Sequence, residues 1–143
     1  MVRINLLEPS ALSDQHLIAE YREILLLLGY VRKHEKLSSE GAHFMKQPVK
    51  FFGDRLTYLE RRHALLRKEM RKRGFRPRIV PSMRGYARGR KRDFIPDAKQ
   101  VREIKARIAN RLRHPPWKGF YHYYRKKVPT SFLVGLVRKA KAG

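Results

Sequence analysis

The sequence predicts an all-α fold, a compact single domain of about three main helices with long irregular connections. Apolar residues recur at helical spacing in three separate stretches, and no run alternates as a strand would. A chain of 143 residues suits one modest core, and no internal repeat is present.

The first helix starts near Ser13-Asp14, residue types that cap a helix N-terminus, and runs to about Leu28 with Gly29 as its stop. A step of about 100° per residue puts Leu17, Ile18, Tyr21, Ile24, Leu25 and Leu28 on one side. His16, Glu20 and Glu23 fall on the opposite side, flanked by Gln15, Ala19 and Arg22. The second helix spans about Asp54 to Arg73, with Leu56, Leu59, Leu66 and Met70 as its buried stripe and Gly74-Phe75 as a Schellman-type stop. The third starts around Pro96-Asp97, buries Val101, Ile104, Ile108 and Leu112, and ends before Pro115-Pro116. Between the last two, residues 76–92 are rich in Arg, Gly and Pro and read as a mobile basic loop. Residues 1–124 form the helical domain on this reading, and residues 125–143 a basic and apolar tail. The tail suits either a short packed element or a partner-binding segment.

Composition narrows the function. Lys and Arg number 35 against 12 Asp and Glu, a formal net charge of +23. Such a surplus repels itself and calls for a polyanionic partner, of which nucleic acid is the commonest. Arg outnumbers Lys, and its planar fork suits phosphate. With no Cys, thiolate catalysis, disulfides and thiolate zinc sites are excluded. The six His lack the spacing of a metal site, so neither a metal nor another cofactor is expected. No stretch reaches the roughly 18 apolar residues of a membrane span, and the opening residues lack a signal-peptide core. The expected location is the cytoplasm, or wherever the genome is held.

Several segments together resemble a known family. Arg3-Ile4-Asn5-Leu6, Asp14-Gln15-His16-Leu17, Ala19-Glu20-Tyr21-Arg22-Glu23 and Val31-Arg32-Lys33-His34 are similar to the pyrimidine-dimer DNA glycosylases typified by the phage UV endonuclease. The likeness continues through Phe51-Phe52, Lys72-Arg73-Gly74-Phe75, Asp93-Phe94-Ile95-Pro96 and Trp117 to Tyr124. The resemblance implies a glycosylase with abasic-site lyase activity. It would act on duplex DNA carrying pyrimidine dimers or abasic sites, as a monomer and without a cofactor. It further implies that the α-amine of Val2, exposed once Met1 is removed, attacks the sugar C1′, and that Glu23 is the essential carboxylate. Arg3, Gln15, His16, Tyr21, Arg22, Arg107 and Arg111 match residues that line the site or hold the DNA.

The amine has an independent justification. Imine formation needs a free-base primary amine, and an α-amine titrates at about 7.7–8.0 against about 10.4 for lysine. Arg3 and Arg22, if close, depress it further. A carboxylate such as Glu23 can stabilise charge at C1′ and then take the C2′ proton. Taken without the resemblance, His16, Glu20 and Glu23 suit a solvated polar face, and Arg107 and Arg111, at i and i+4, a charged outer face. The loop cations Arg84, Arg88, Arg90, Lys91 and Arg92 offer phosphate contacts, and Trp117, Phe120, Tyr121, Tyr123 and Tyr124 offer either core packing or base stacking. If about six phosphates are neutralised, log K falls against log salt with a slope near −5.

One departure stands out. Where the phage enzyme has a proline and a further arginine after the Glu23 segment, this chain has Leu25 and Leu26. Two alternatives remain open at this point. One is a non-catalytic basic protein that binds DNA or RNA, and the other is a lyase or glycosylase for other lesions.

Overall fold

In a computed structural model, which describes residues 2–143, the extended segment 2–7 leads through a 3-10 turn, Pro9–Ala11, into helix α1, Asp14–Lys33. Then come α2 (Pro48–Phe52), α3 (Leu56–Lys72), a 3-10 turn at Arg88–Arg90, and α4 (Ala98–Arg113). Strands β1 (His122–Tyr123) and β2 (Lys126–Lys127) pair antiparallel, and α5 (Thr130–Lys139) follows. The described residues thus form a mostly helical single domain of five helices and one small hairpin. The three predicted helices are present, but the predicted class missed the short α2, the hairpin and α5. A two-residue strand is too short to show alternation, and α2 is barely a turn and a half.

Capping fixes the main helix starts. Ser13 Oγ accepts the His16 N–H at 3.1 Å, and Asp97 makes a reciprocal capping box with Gln100. At the end of α3, Phe75 N–H donates to the Met70 carbonyl at 2.9 Å and Gly74 N–H to Arg71 at 3.0 Å. With Gly74 at φ 88°, this is the Schellman stop that its sequence predicts. Gly29, in contrast, does not end α1. Its Cα faces open space, and a glycine inside a helix costs only about 1 kcal/mol. The buried Val31 one turn beyond Leu28 carries the helix on to Lys33.

Helix α1 packs along α3, and α5 packs on α4. Leu17, Ile24, Leu27, Leu56, Leu59, Leu66, Ile104 and Leu133 are fully buried between them. The 125–143 tail therefore resolves into a packed element, with Leu133, Val134 and Val137 in the core. Two buried arginines brace the domain. Arg73 donates to Asp14, Glu69 and the Leu12 carbonyl, all within 2.9 Å. Arg62 grips Glu20 through Nε and Nη2 at 2.7 and 2.9 Å. Glu20 is fully buried, which corrects its place on the polar row of α1.

The basic loop is tied down rather than loose. Tyr86 Oη donates to the Leu28 carbonyl at 2.7 Å, and Arg90 donates to the carbonyls of Gly53, Glu35 and Leu37. Arg92 donates to the Asp54 carboxylate at 2.8 Å. Arg84, Arg88 and Lys91 stay exposed.

Candidate active site

The extended N-terminal segment runs beside α1, and their meeting point is polar. Arg3 N–H donates to a Glu23 carboxylate oxygen at 3.1 Å. Residue 2 is half-buried, and its backbone nitrogen lies one residue along, within about 3.8 Å of the Arg3 nitrogen by chain geometry. The Glu23 carboxylate and the residue-2 nitrogen therefore sit within about 7 Å of each other, by adding that span to the hydrogen bond. The expected removal of Met1 concerns a residue outside those described.

A small cavity of ≈ 60 Å³ opens at this junction, lined by Arg3, Asn5, His16, Ala19, Glu23, Arg107, Ile108 and Arg111. Helix periodicity places His16, Ala19 and Glu23 on one face of α1 and Arg107, Ile108 and Arg111 on one face of α4. On that scale a water needs about 10–15 Å³, so the space takes a few waters or a small polar group. Val2, next in the chain to Arg3, lines a larger cavity of ≈ 360 Å³ together with Tyr30, Leu37, Pro48, Val49 and the cations Lys46 and Lys50. Neighbouring residues of the N-terminal segment thus line two cavities, both with cations in their walls.

Charge in the niche is unbalanced. Arg3, Arg107 and Arg111 face the single carboxylate of Glu23. Arg107 donates to Asn5 Oδ1 at 3.0 Å and to the Ile4 carbonyl at 3.3 Å, both uncharged. Burial, with Arg3 alongside, lowers its pKa to about 10. Burial also raises the pKa of Glu23, against the opposing pull of the Arg3 N–H. His16 is pushed down to about 4 by burial and then by Arg111, Arg107 and Arg3, so it is a neutral imidazole at pH 7. Its Nδ1 is buried without a hydrogen-bond partner. Such an arrangement can bind an anionic group, hold a proton acceptor in low dielectric, and depress the pKa of a neighbouring amine.

Of the residues expected from the sequence, the structure gathers Arg3, His16, Glu23, Arg107 and Arg111 around one cavity, with Val2 adjoining it. Three others lie elsewhere. Gln15 pins the hairpin, donating to the Phe120 carbonyl and accepting from His122 N–H, each at 3.0 Å. Tyr21 is buried against His63, with ring centroids 4.7 Å apart, and its Oη accepts the Ile79 N–H at 3.0 Å. Arg22 is exposed next to Glu23 and does not line the cavity. Leu26 is 68% exposed on the same helix row as Arg22, an apolar side chain open to solvent.

Sequence reasoning missed Asn5 and Ala19. Asn5 is a lone polar residue between Ile4 and Leu6, and its burial makes sense as the acceptor for Arg107. Ala19, between larger neighbours on α1, leaves the space that becomes the cavity. In the aromatic segment, Tyr121 is buried and Tyr123 Oη donates to the Ser10 carbonyl at 2.9 Å. The exposed rings are Trp117, Phe120 and Tyr124, with Lys127 Nζ 3.5 Å from the Phe120 centroid.

Among the described residues no group of His, Cys, Asp or Glu is arranged to hold a metal, and no helix is long and apolar enough to cross a membrane. Residues 1–80, more than half of the chain, match the family model described as pyrimidine dimer DNA glycosylase. By that match, which covers the N-terminal segment, α1 and α3, the chain belongs to the pyrimidine dimer DNA glycosylase family.

Proposed function

We propose that the protein excises UV-induced cyclobutane pyrimidine dimers from duplex DNA through an imine on its N-terminal α-amine, then cuts the strand by β-elimination. The observation that carries this reading is the hydrogen bond from Arg3 N–H to Glu23, which sets a carboxylate beside the residue-2 nitrogen in a cationic niche.

The amine lone pair of Val2 attacks C1′ of the damaged nucleotide. The glycosidic C1′–N bond breaks, its electron pair goes to the base nitrogen, which takes up a proton, and the base stays joined to its neighbour through the cyclobutane ring. The C1′–O4′ bond then opens, O4′ takes a proton from water, and an iminium is left at C1′. The Glu23 carboxylate stabilises the developing positive charge. It next accepts the C2′ proton, the C3′–O bond breaks, and the 3′ phosphate departs. Water finally hydrolyses the imine and returns the free amine. Arg3, Arg107 and Arg111 hold the phosphates flanking that sugar. Neutral His16 adds no further charge to the niche. The ≈ 360 Å³ cavity beside Val2 offers room for a nucleotide turned out of the stack, which costs least where pairing is already weak. Trp117 and Phe120, exposed with Lys127 nearby, suit stacking on bases.

Exposed Leu26 favours one second reading. With an apolar side chain exposed beside Arg22, where the resemblance implies a phosphate-holding arginine, this reading has the protein act on other damaged bases or on abasic sites alone. Borohydride reduction in the presence of dimer, oxidised-base, abasic and undamaged duplexes separates the readings. Covalent capture on dimer DNA supports the proposed activity. Capture on abasic DNA alone reduces the protein to a lyase, and no capture at all leaves a basic binder.

A further inference from the structure

The segment that carries residue 2 leaves the site through a strained turn. Leu6 has φ 55°, a region that branched L side chains rarely enter, and Leu7 N–H closes the turn on the Asn5 carbonyl at 2.6 Å. Such a conformation persists where its surroundings over-determine it. Here the determinants come from the far end of the sequence, outside the segment that matches the family. Gly143 N–H donates to the Leu6 carbonyl at 2.8 Å, and Glu8 N–H donates to the Lys141 carbonyl at 2.8 Å. Lys141 N–H returns a bond to the Glu8 carboxylate at 3.2 Å, and Leu7 forms an antiparallel bridge with Ala142.

Arg62 completes the junction. Its Nη1 donates to the Leu7 carbonyl and, at 2.9 Å, to the Gly143 carbonyl. Its Nε and Nη2 hold Glu20, one helical turn before Glu23. Tyr58 Oη also donates to the Gly143 carbonyl at 3.3 Å. One buried cation therefore joins the nucleophile-bearing segment, the helix that carries Glu23, and residues 141–143. Position 143 tolerates no side chain as it stands, because a Cβ there would lie 2.6 Å from Glu8 Cα and 2.8 Å from Glu8 N.

We propose that residues 141–143 are a positioning clamp for the reaction, with Gly143 and Arg62 fixing the spacing between the residue-2 amine and the Glu23 carboxylate. The clamp rests on the imine reading above. Neither Gly143 nor Arg62 touches the substrate; both act through the Leu6–Leu7 turn and Glu20. A misplacement of about 1 Å at reacting atoms can cost about a hundredfold in rate, so a small shift of this turn is enough to matter.

The test compares Gly143→Ala and Gly143→Val with wild type and with Gly135→Ala, whose added methyl group on α5 meets open space. Titration of active sites with excess abasic duplex and borohydride counts competent molecules, and the single-turnover capture rate is then expressed per competent site. The clamp predicts a rate constant lower by about tenfold or more in Gly143→Val, intermediate in Gly143→Ala, and unchanged in Gly135→Ala. Affinity for the duplex should stay within about twofold throughout. Should Gly143→Val fail to fold, Glu8→Ala, which removes only the side-chain bond to Lys141, is expected to slow capture by about two- to threefold. Fewer competent sites with an unaltered rate constant per site would overturn the clamp and leave these residues a purely structural role. Wild type giving no adduct would overturn the imine reading and the clamp together; adduct formation that is equally fast in the variants overturns the clamp alone.

Discussion

Arg62 on α3 and Arg107 on α4 are both withdrawn from solvent, yet their surroundings differ in charge. Arg62 is 0% exposed and meets the equally buried Glu20 in a two-point ion pair. Burial alone would lower its pKa, but Glu20 outweighs burial and the net direction is upward. Arg107 meets only neutral oxygens on Ile4 and Asn5, with Arg3 and Arg111 as like-charged neighbours, and its pKa falls to about 10. A buried cation with its own counter-ion belongs to the fold. A cation held among other cations, with one carboxylate between them, is set to receive an anion brought from outside.

The largest effect is expected at the single carboxylate of the niche. Glu23→Gln should lose about 10²- to 10⁴-fold in single-turnover excision, with affinity for damaged duplex retained. Near-normal excision would remove Glu23 from the chemistry. Since burial raises its pKa, the acid limb of the wild-type rate should lie above the ordinary carboxylate range. Next is Arg62→Met, which strands Glu20 in the core and should cost about 3–5 kcal/mol in urea denaturation. Arg107→Met relieves crowding among cations, so its stability should hold or rise. Its DNA affinity should fall, and the slope of log K against log salt should become shallower by about 1. Equal destabilisation by Arg62→Met and Arg107→Met would erase the distinction between the two centres.

The smallest effect concerns pH. His16 and His63 are both depressed to about 4, each first by burial. The unfolded chain, with its histidines near 6.5, takes up protons before the folded one. Their contribution to stability is therefore complete above about 6.5 and is lost as pH falls from there toward 4. Denaturation midpoints should be level between pH 7 and 8 and decline below, with a gentler decline in His16→Phe.

Local rules made much of the site legible in the sequence. Once α1 is a helix, its period alone places His16, Ala19 and Glu23 on one face, and the same holds for Arg107 and Arg111 on α4. Glu20 shows where that reasoning ends. Angle alone puts it on the polar row, but Arg62, 42 positions away, draws it into the core. Gln15 and Tyr21 were likewise taken by distant partners at 120–122 and at His63 and Ile79. The basic loop read as mobile because Gly, Pro and Arg carry no core signal, whereas Arg90 and Tyr86 anchor it through backbone carbonyls, which no composition reveals. The tail was undecidable for a similar reason. Its apolar run packs on α4 and the first 3-10 turn, and neither adjoins it in sequence.

The most direct test is peptide mapping, by mass spectrometry, of the adduct captured by borohydride on dimer-containing DNA. Attachment of the reduced deoxyribose to the α-nitrogen of Val2, with Met1 absent, is the expected result. Attachment to a lysine side chain would contradict it and move the nucleophile out of the Glu23 niche.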